Sequence, residues 1–429
     1  MSVIEQSHQT FEQYYKRNST VAIIENAMFS LIRLGLSPYT ILPFYLKQLT
    51  DSPFLISLIP AIFVLGFAVP QLFMVKFLQR TRSRKHILIF SSLAQRVCIL
   101  GILVLTIFQN HLSNPLTILL FFSLYLLYNI SRGCWSLTWI DFLGCTVLRN
   151  RGKIIGIGNF FGGFLNLLGI FFLTRLLTIL PYPQAITAIL SFSFIGSLVS
   201  FGAIACLRDI HPADVEKEVD FQPGLSGVVK NNLPSGDFQR YLGWRSVITA
   251  MEMMLAFYTL YGLEKFNLSV AYVGVFSAIL TVSDAIMNPI WGWLGDKFGY
   301  LFVVTAASFL GGLGALLSAF SPNSLVFSFV FLLNGMMLSG QQQGNINIVY
   351  EYAVKTKVPA YTAINQIILS LLSGLAPVIG GFITGSIGYA GGGLVAGSIG
   401  MTGVAGMVMN VRSPRLEKRK EETRQEIPK

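Results

Sequence analysis

Apolar residues come along this chain in long runs. A helix needs roughly 20 mostly apolar residues to cross the hydrocarbon core of a bilayer. Twelve runs of that kind occur, centred near Leu31, Val64, Leu100, Tyr125, Gly162 and Phe194, and then near Leu255, Ala278, Leu310, Leu332, Ser370 and Gly400. They are rich in Leu, Phe, Ile and Gly and lack the polar–apolar alternation of a transmembrane barrel. Each therefore predicts a helix, which satisfies its own backbone hydrogen bonds in lipid. Between the sixth and seventh runs the pattern changes. Arg208 to Gly243, "RDIHPADVEKEVDFQPGLSGVVKNNLPSGDFQRYLG", is charged, interrupted by Pro and Gly, and too polar to span. The expectation is an all-α integral membrane protein of twelve transmembrane helices in two pseudo-symmetric six-helix bundles, 1–207 and 244–411. A central loop covers 208–243 and a basic tail 412–429. The other connections are short, which favours antiparallel neighbours.

Composition sharpens this picture. Residues are 53% hydrophobic and only 12% charged, about half the charge of a soluble protein. The net charge of +11 would suit nucleic acid, but its placement does not, and no stacking or groove-reading motif accompanies it. Loops numbered alternately from the N-terminus put nearly all loop Lys and Arg on one side: Lys16 and Arg17, the block Lys76 to Lys85, Arg149 to Lys153, the central loop with Arg245, Lys297, Lys355, Lys357 and the tail. The other side receives only Lys47, Arg175 and Lys265, and Arg33, Arg96 and Arg132 fall inside runs. This is the positive-inside signature, which places both termini and the central loop in the cytoplasm and the chain in the inner or plasma membrane. The first residues, "MSVIEQSHQTFEQYYKRNST", are polar and lack a signal-peptide pattern.

Several chemistries are unsupported. Cys98, Cys134, Cys145 and Cys206 have no C-x-x-C spacing, and His8, His86, His111 and His211 lie in tails or loops. The sequence thus suggests no metal site, disulfide or histidine relay within the membrane, and no cofactor. No ATP-binding Gly-x-x-x-x-Gly-Lys-[Ser/Thr] occurs. No Ser–His or His–acid constellation falls in a span, so an enzyme is not expected.

Between the eighth and ninth runs stands "WGWLGDKFGY", residues 291–300. Two glycines, Gly292 and Gly299, suit close packing and a tight turn. Asp296 beside Lys297 is one of few acids at this face. It can accept hydrogen bonds from a neighbouring helix N-terminus, where the dipole favours negative charge. A contact of that kind would latch one conformation of a moving structure.

Gly292-x-x-x-Asp296-Lys297-x-Gly299 resembles the signature loop G-x-x-x-D-[RK]-x-G-[RK] of the major facilitator superfamily, bacterial type. Tyr300 stands where the pattern ends in Arg or Lys. The matching loop of the first half, "PQLFMVKFLQRTRSRKH", keeps basic residues but has no Asp. The resemblance covers the whole chain: twelve spans, a long central loop and cytoplasmic termini. It implies that the loop carrying Asp296 lies near the start of the fifth span, where Arg151 and Lys153 are the partners to consider. A thin internal repeat agrees with two related halves, Arg149, Arg151 and Asn159 recurring as Lys355, Lys357 and Asn365.

Ionisable side chains in lipid cost at least about 2.5–3.5 kcal/mol each and usually face a cavity or a partner. The first run carries Asn26, Ser30, Arg33 and Ser37, one stripe on a 3.6-residue helix. The fourth carries Asn129, Arg132 and Ser136 with Trp135 beside them, and the tenth Asn334, Gln341 and Asn345 with Gln342 adjacent. The seventh contributes Glu252, Tyr258 and Tyr261. Taken singly, each stripe could be glue between helices. The resemblance implies that spans 1, 4, 7 and 10 line a central cavity, which would make Asn26, Arg33, Asn129, Arg132, Trp135, Ser136, Tyr258, Gln341, Gln342 and Asn345 a small-molecule site.

Glu252 and Asp284 are the candidate proton carriers, because burial favours the neutral form of a carboxyl; Glu25 sits near the cytoplasmic end, where solvation would account for it. Arg96 has no evident partner. Arg33 and Arg132 lack an acid at i±3 or i±4, so either Glu252 and Asp284 neutralise them or an anionic substrate does. Glycines in "GIGNFFGGFLNLLG" and "SGLAPVIGGFITG" suit close helix crossings. The resulting expectation is a monomeric, proton-coupled secondary transporter of a small molecule, in contact with lipid and not with nucleic acid, working by alternating access. A lipid flippase and a non-transporting membrane assembly or sensor protein on the same fold are the alternatives.

Overall fold

The computed structural model describes residues 3–80, 84–146, 151–208, 236–353 and 357–412. Among these residues all regular structure is helical. The helices are α1 (Val3–Gly35), α2 (Ile41–Lys47), α3 (Pro53–Arg80), α4 (Arg84–Phe108), α5 (Asn114–Thr146), α6 (Arg151–Ile179), α7 (Gln184–Ala205), α8 (Gly236–Ala250), α9 (Tyr258–Lys265), α10 (Ala271–Phe298), α11 (Tyr300–Phe320), α12 (Ser324–Tyr352) and α13 (Val358–Asn410). The chain divides into two compact units, one of Met1–Asp51 with Ile62–Asp220, the other of Ser52–Ala61 with Phe221–Lys429.

In the first unit α1 packs on α6 and α7, and α4 on α5 and α7. The glycines of α6 explain the approach to α1. A Cβ on Gly158 would lie 2.8 Å from the Cβ of Asn26, and one on Gly162 would lie 3.1 Å from its carbonyl oxygen. Only a residue without a side chain lets the helices come this near. In the second unit α12 packs on α10 and α11, α11 on α13, and α13 on α8. Here a Cβ on Gly400 of α13 would sit 3.5 Å from Gly312 Cα on α11.

Nine described helices are long and apolar enough to cross a membrane, ten if the bent pair α8–α9 counts as one. Phe73, Phe160 and Phe320 are each 72% exposed on the outside of these helices, apolar surface of a kind that soluble monomers do not leave to water. The chain is a multi-pass membrane protein.

Helix boundaries depart from the sequence reading in three places. The polar N-terminal stretch is the start of α1, which at 1.5 Å per residue runs to about 50 Å. Asn18 holds it to the end of α7, donating to Arg208 O at 3.0 Å and accepting from Arg208 N at 3.1 Å. The central loop ends earlier than composition suggests, because α8 begins at Gly236; residues 209–235 lie outside those described. The last two runs share α13, which is helical except at Gly388, where φ is 74°.

Candidate functional site

In the first unit the polar stripes of α1 and α5 divide into residues that bond within the protein and residues that do not. Ser30 turns back to Ala27 O at 2.7 Å, and Ser37 accepts from Thr40 at 2.8 Å. Asn26 and Ser136 are half-buried, and Arg33 is exposed. Asn129 donates to Tyr125 O at 2.8 Å, which leaves its Oδ1 buried without a partner. Arg132 lies between two rings, 4.0 Å from the centroid of Phe63 and 4.5 Å from that of Phe67, and donates from Nη2 to Phe63 O at 2.9 Å. Its Nε has no partner. One turn further on, Trp135 stacks on Phe29 at 5.7 Å and on Trp139 at 5.3 Å, with its indole N–H likewise unpaired.

Arg96 and Glu25 fare differently from the sequence expectation. Glu25 is only 1% exposed, so solvation does not account for it, and Arg96 has three hydrogen-bond partners. The guanidinium donates to Ser197 O at 3.0 Å, to Ser92 O at 3.1 Å and to the Ser200 hydroxyl, and that hydroxyl donates to the Glu25 carboxylate. One serine thus joins acid and base across α1, α4 and α7. Sequence could not show it, because the three residues lie far apart in the chain.

In the second unit Arg245 is the residue that sequence reasoning misplaced. Counted there with the cytoplasmic loop, it is 1% exposed inside the unit. It donates to Thr249 at 3.1 Å and to Asn345 Oδ1 at 3.4 Å, and its Nη2 lies 3.9 Å from the carboxylate of Glu252. The Asn345 carbonyl in turn accepts from Asn365 at 3.2 Å. A signal was available: Arg245, Thr249 and Glu252 are spaced 4 and 3, the repeat of one helical face. The neighbouring polar stretch masked it. Glu252 lies in the 3₁₀ turn Met251–Met254, which closes the first limb of the pair α8–α9 just before the break at 255–257, across which the pair bends by 40°. Short 3₁₀ stretches inside a long helix often mark hinges.

The remaining positions do not converge. Tyr258 is buried at the start of α9, and Gln341 is buried with its Nε2 unpaired. Gln342 is exposed, and Asn334 bonds back to Val330 O at 2.8 Å. Asp284 accepts through its carbonyl from Asn288 at 3.2 Å, and Asn288 accepts from Gln343 at 3.0 Å. Gln343 was absent from the sequence reading.

The loop around Asp296 is built otherwise than its motif suggests. Gly299 has φ 93°, a conformation that favours glycine and ends α10. Gly292 borders open space, so close packing there is not the reason for it; Gly295 is the tight one, with the Tyr300 ring 2.5 Å from where its Cβ would be. Asp296 accepts from the Tyr300 phenol at 3.2 Å. At the start of α11, Glu351 accepts from Tyr300 N at 2.9 Å. Lys297 lies over the rings of Trp293 and Phe298 at 5.0 and 5.1 Å. The side chains of Arg151 and Lys153 lie outside those described. Among the described residues no cluster of His, Cys, Asp and Glu could hold a metal ion.

Comparison with known proteins agrees with this architecture. The sequence model of the Major Facilitator Superfamily matches residues 235–429, and a sequence comparison with curated proteins gives no match. Among solved structures, the chain is similar to a point variant of the nucleoside transporter NupG, with a TM-score of 0.72 at 10% identity, over 92% of this chain and 99% of that one. It is similar to a POT family transporter in complex with a thioalcohol-conjugated peptide, at 0.68 and 10% over 91% and 95%. A D-xylose–proton symporter follows at 0.65 and 14%, over 94% and 99%. The sequence model of the superfamily thus matches the second part of the chain, residues 235–429, and the fold of these solved transporters extends over more than nine tenths of its length.

Proposed function

We propose that this protein is a secondary active transporter of a small molecule, coupled to protons and working by alternating access in the inner or plasma membrane, with both termini cytoplasmic. Three features support twelve spans in two six-helix bundles. The candidate span Ala360–Asn410, with 51 residues, would be about 77 Å long, more than twice the roughly 30 Å hydrocarbon core, and Gly388 breaks it. The bent pair α8–α9 makes one span. Although α1 falls short of a span by composition, its Glu25 is neutralised internally through Ser200 and Arg96.

The observation that carries the coupling is Glu252 in the 3₁₀ turn next to the break of a discontinuous helix, beside a buried arginine. Discontinuous helices place substrate and coupling-ion sites in many transporters. Protonating Glu252 would remove half of a buried pair and leave Arg245 uncompensated, an imbalance of several kcal/mol. Any conformation that gave Arg245 another partner would then gain population. The similar xylose structure is named a proton symporter, a coupling of the kind proposed here.

The test is flux in proteoliposomes at two pH values, for a substrate found by thermal-shift screening. Glu252→Gln should lose accumulation driven by a pH gradient yet retain exchange of substrate down its own gradient. Asp284→Asn is made in parallel as the other candidate carrier. If both variants still accumulate substrate against its gradient, protons on these acids are not the driving species.

A further inference from the structure

The arginines of the apolar helices fall into two kinds. Arg96 reaches Glu25 through one serine hydroxyl, and Arg245 reaches Glu252 directly. Arg132 and Arg33 have no ion-pair partner among the described residues. Phe29 of α1 stacks on Trp135 of α5 at 5.7 Å, and Arg33 and Arg132 each stand about one helical turn from that contact. Glu252 is already paired with Arg245. Two like charges are therefore held in one polar region without compensation, which is costly inside a membrane.

The surroundings of Arg132 show how it is held. Rings of Phe63 and Phe67 lie over the guanidinium, and one N–H goes to Phe63 O. A guanidinium carries five N–H donors in its plane, and the buried Nε is among those left over. Aromatic contact offsets part of the desolvation without supplying a negative charge. Arg33 is exposed and has no hydrogen bond among the described residues. Asn129 Oδ1 and Trp135 Nε1, three residues on either side of Arg132, are an unpaired acceptor and an unpaired donor. They lie about 4.5 Å along the helix from Arg132 in each direction.

We propose that the transported molecule is a small organic acid, whose carboxylate or phosphate binds at Arg33 and Arg132. The inference rests on the transporter reading above and adds the chemical class of the cargo. An acidic group supplies the missing charge and accepts bidentate hydrogen bonds from a guanidinium. Asn129 and Trp135 offer an acceptor and a donor to its remaining polar groups.

The experiment is a thermal-shift and binding series on the full-length protein in lipid nanodiscs. Succinate and benzoate represent carboxylates, inorganic phosphate and glucose 6-phosphate represent phosphates, uridine, D-xylose and benzamide are neutral, and spermidine is cationic. The expected result is stabilisation by at least one of the acids, with affinity at least tenfold weaker in Arg33→Gln and partly kept in Arg33→Lys. Because Arg33 is exposed, these variants should fold; Arg132→Lys, which keeps the charge and loses the fork, is the second probe. Carboxylate and phosphate arms tell the two acid types apart. If no acid binds, or if a neutral or cationic compound binds with affinity unmoved in Arg33→Gln, the inference is overturned. Flux keeps this outcome apart from the transporter reading. A neutral compound that is carried leaves a transporter without an acidic cargo, whereas an acid that binds and is never carried leaves the site and removes the transport.

Discussion

Replacing Arg96 with Met would test whether the buried triad of the first unit holds α1 in place. Glu25 sits on α1 and is 1% exposed. At about 100° per residue, Asn26, Ser30, Arg33 and Ser37 point between about 80° and 140° away from it around the helix. Anchoring Glu25 toward α4 and α7 therefore sets the direction in which the stripe faces. Arg96→Met leaves a buried carboxylate with only the Ser200 hydroxyl, and removing one member of a buried pair costs about 3–5 kcal/mol. At about 2–4 °C per kcal/mol for a unit of this size, the midpoint should fall by roughly 10 °C. Glu25→Gln alone should also destabilise, because Arg96 keeps its two carbonyl acceptors and loses its counter-charge. The double variant buries no charge, so its loss should fall short of the sum of the single losses by about 2 kcal/mol, within the range for residues sharing a network. Reversible unfolding in mixed detergent micelles, followed by tryptophan fluorescence, measures all three. Additive losses within about 0.5 kcal/mol, or a cost below about 1 kcal/mol for Arg96→Met, would show that Ser200 does not couple the acid to the base.

Asp296→Asn should slow flux and leave substrate affinity within a few-fold. Tyr300→Phe, which removes only the phenol bonded to Asp296, should have a smaller effect; unchanged flux for Asp296→Asn at equal expression would reduce the loop to a simple turn. In a background lacking the native cysteines, His111→Cys and Pro322→Cys should label from outside intact cells, whereas Lys297→Cys and Lys357→Cys should label only after permeabilisation. Labelling of Lys357→Cys from outside would overturn the proposed topology.

Much of the architecture was legible because lipid imposes a one-dimensional rule. A spanning helix must be apolar over a set length, and loop charges are sorted by side, so runs, the polar divide near Arg208 and the superfamily's loop around Asp296 are written in linear order. Helical periodicity also placed Arg132 and Asn129 on one face of α5, though not the rings of Phe63 and Phe67 that enclose the guanidinium. Where linear reading fell short, the deciding contacts join residues distant in the chain. Glu25 looked solvated near a helix end until Ser200 and Arg96, from two other helices, closed around it. Arg245 looked like one more loop charge because polar residues precede it, yet α8 begins at Gly236 and carries it into the second unit, beside Glu252 and Asn345. Asp296 accepts from Tyr300, which stands where the family pattern has a basic residue, and Glu351 holds the start of α11; neither contact could be read from the motif. Composition and period fix which stretches are helices and which faces are polar. Only packing decides which polar groups satisfy one another, because a hydrogen bond or ion pair depends on a few ångströms of separation in space and not on distance along the chain.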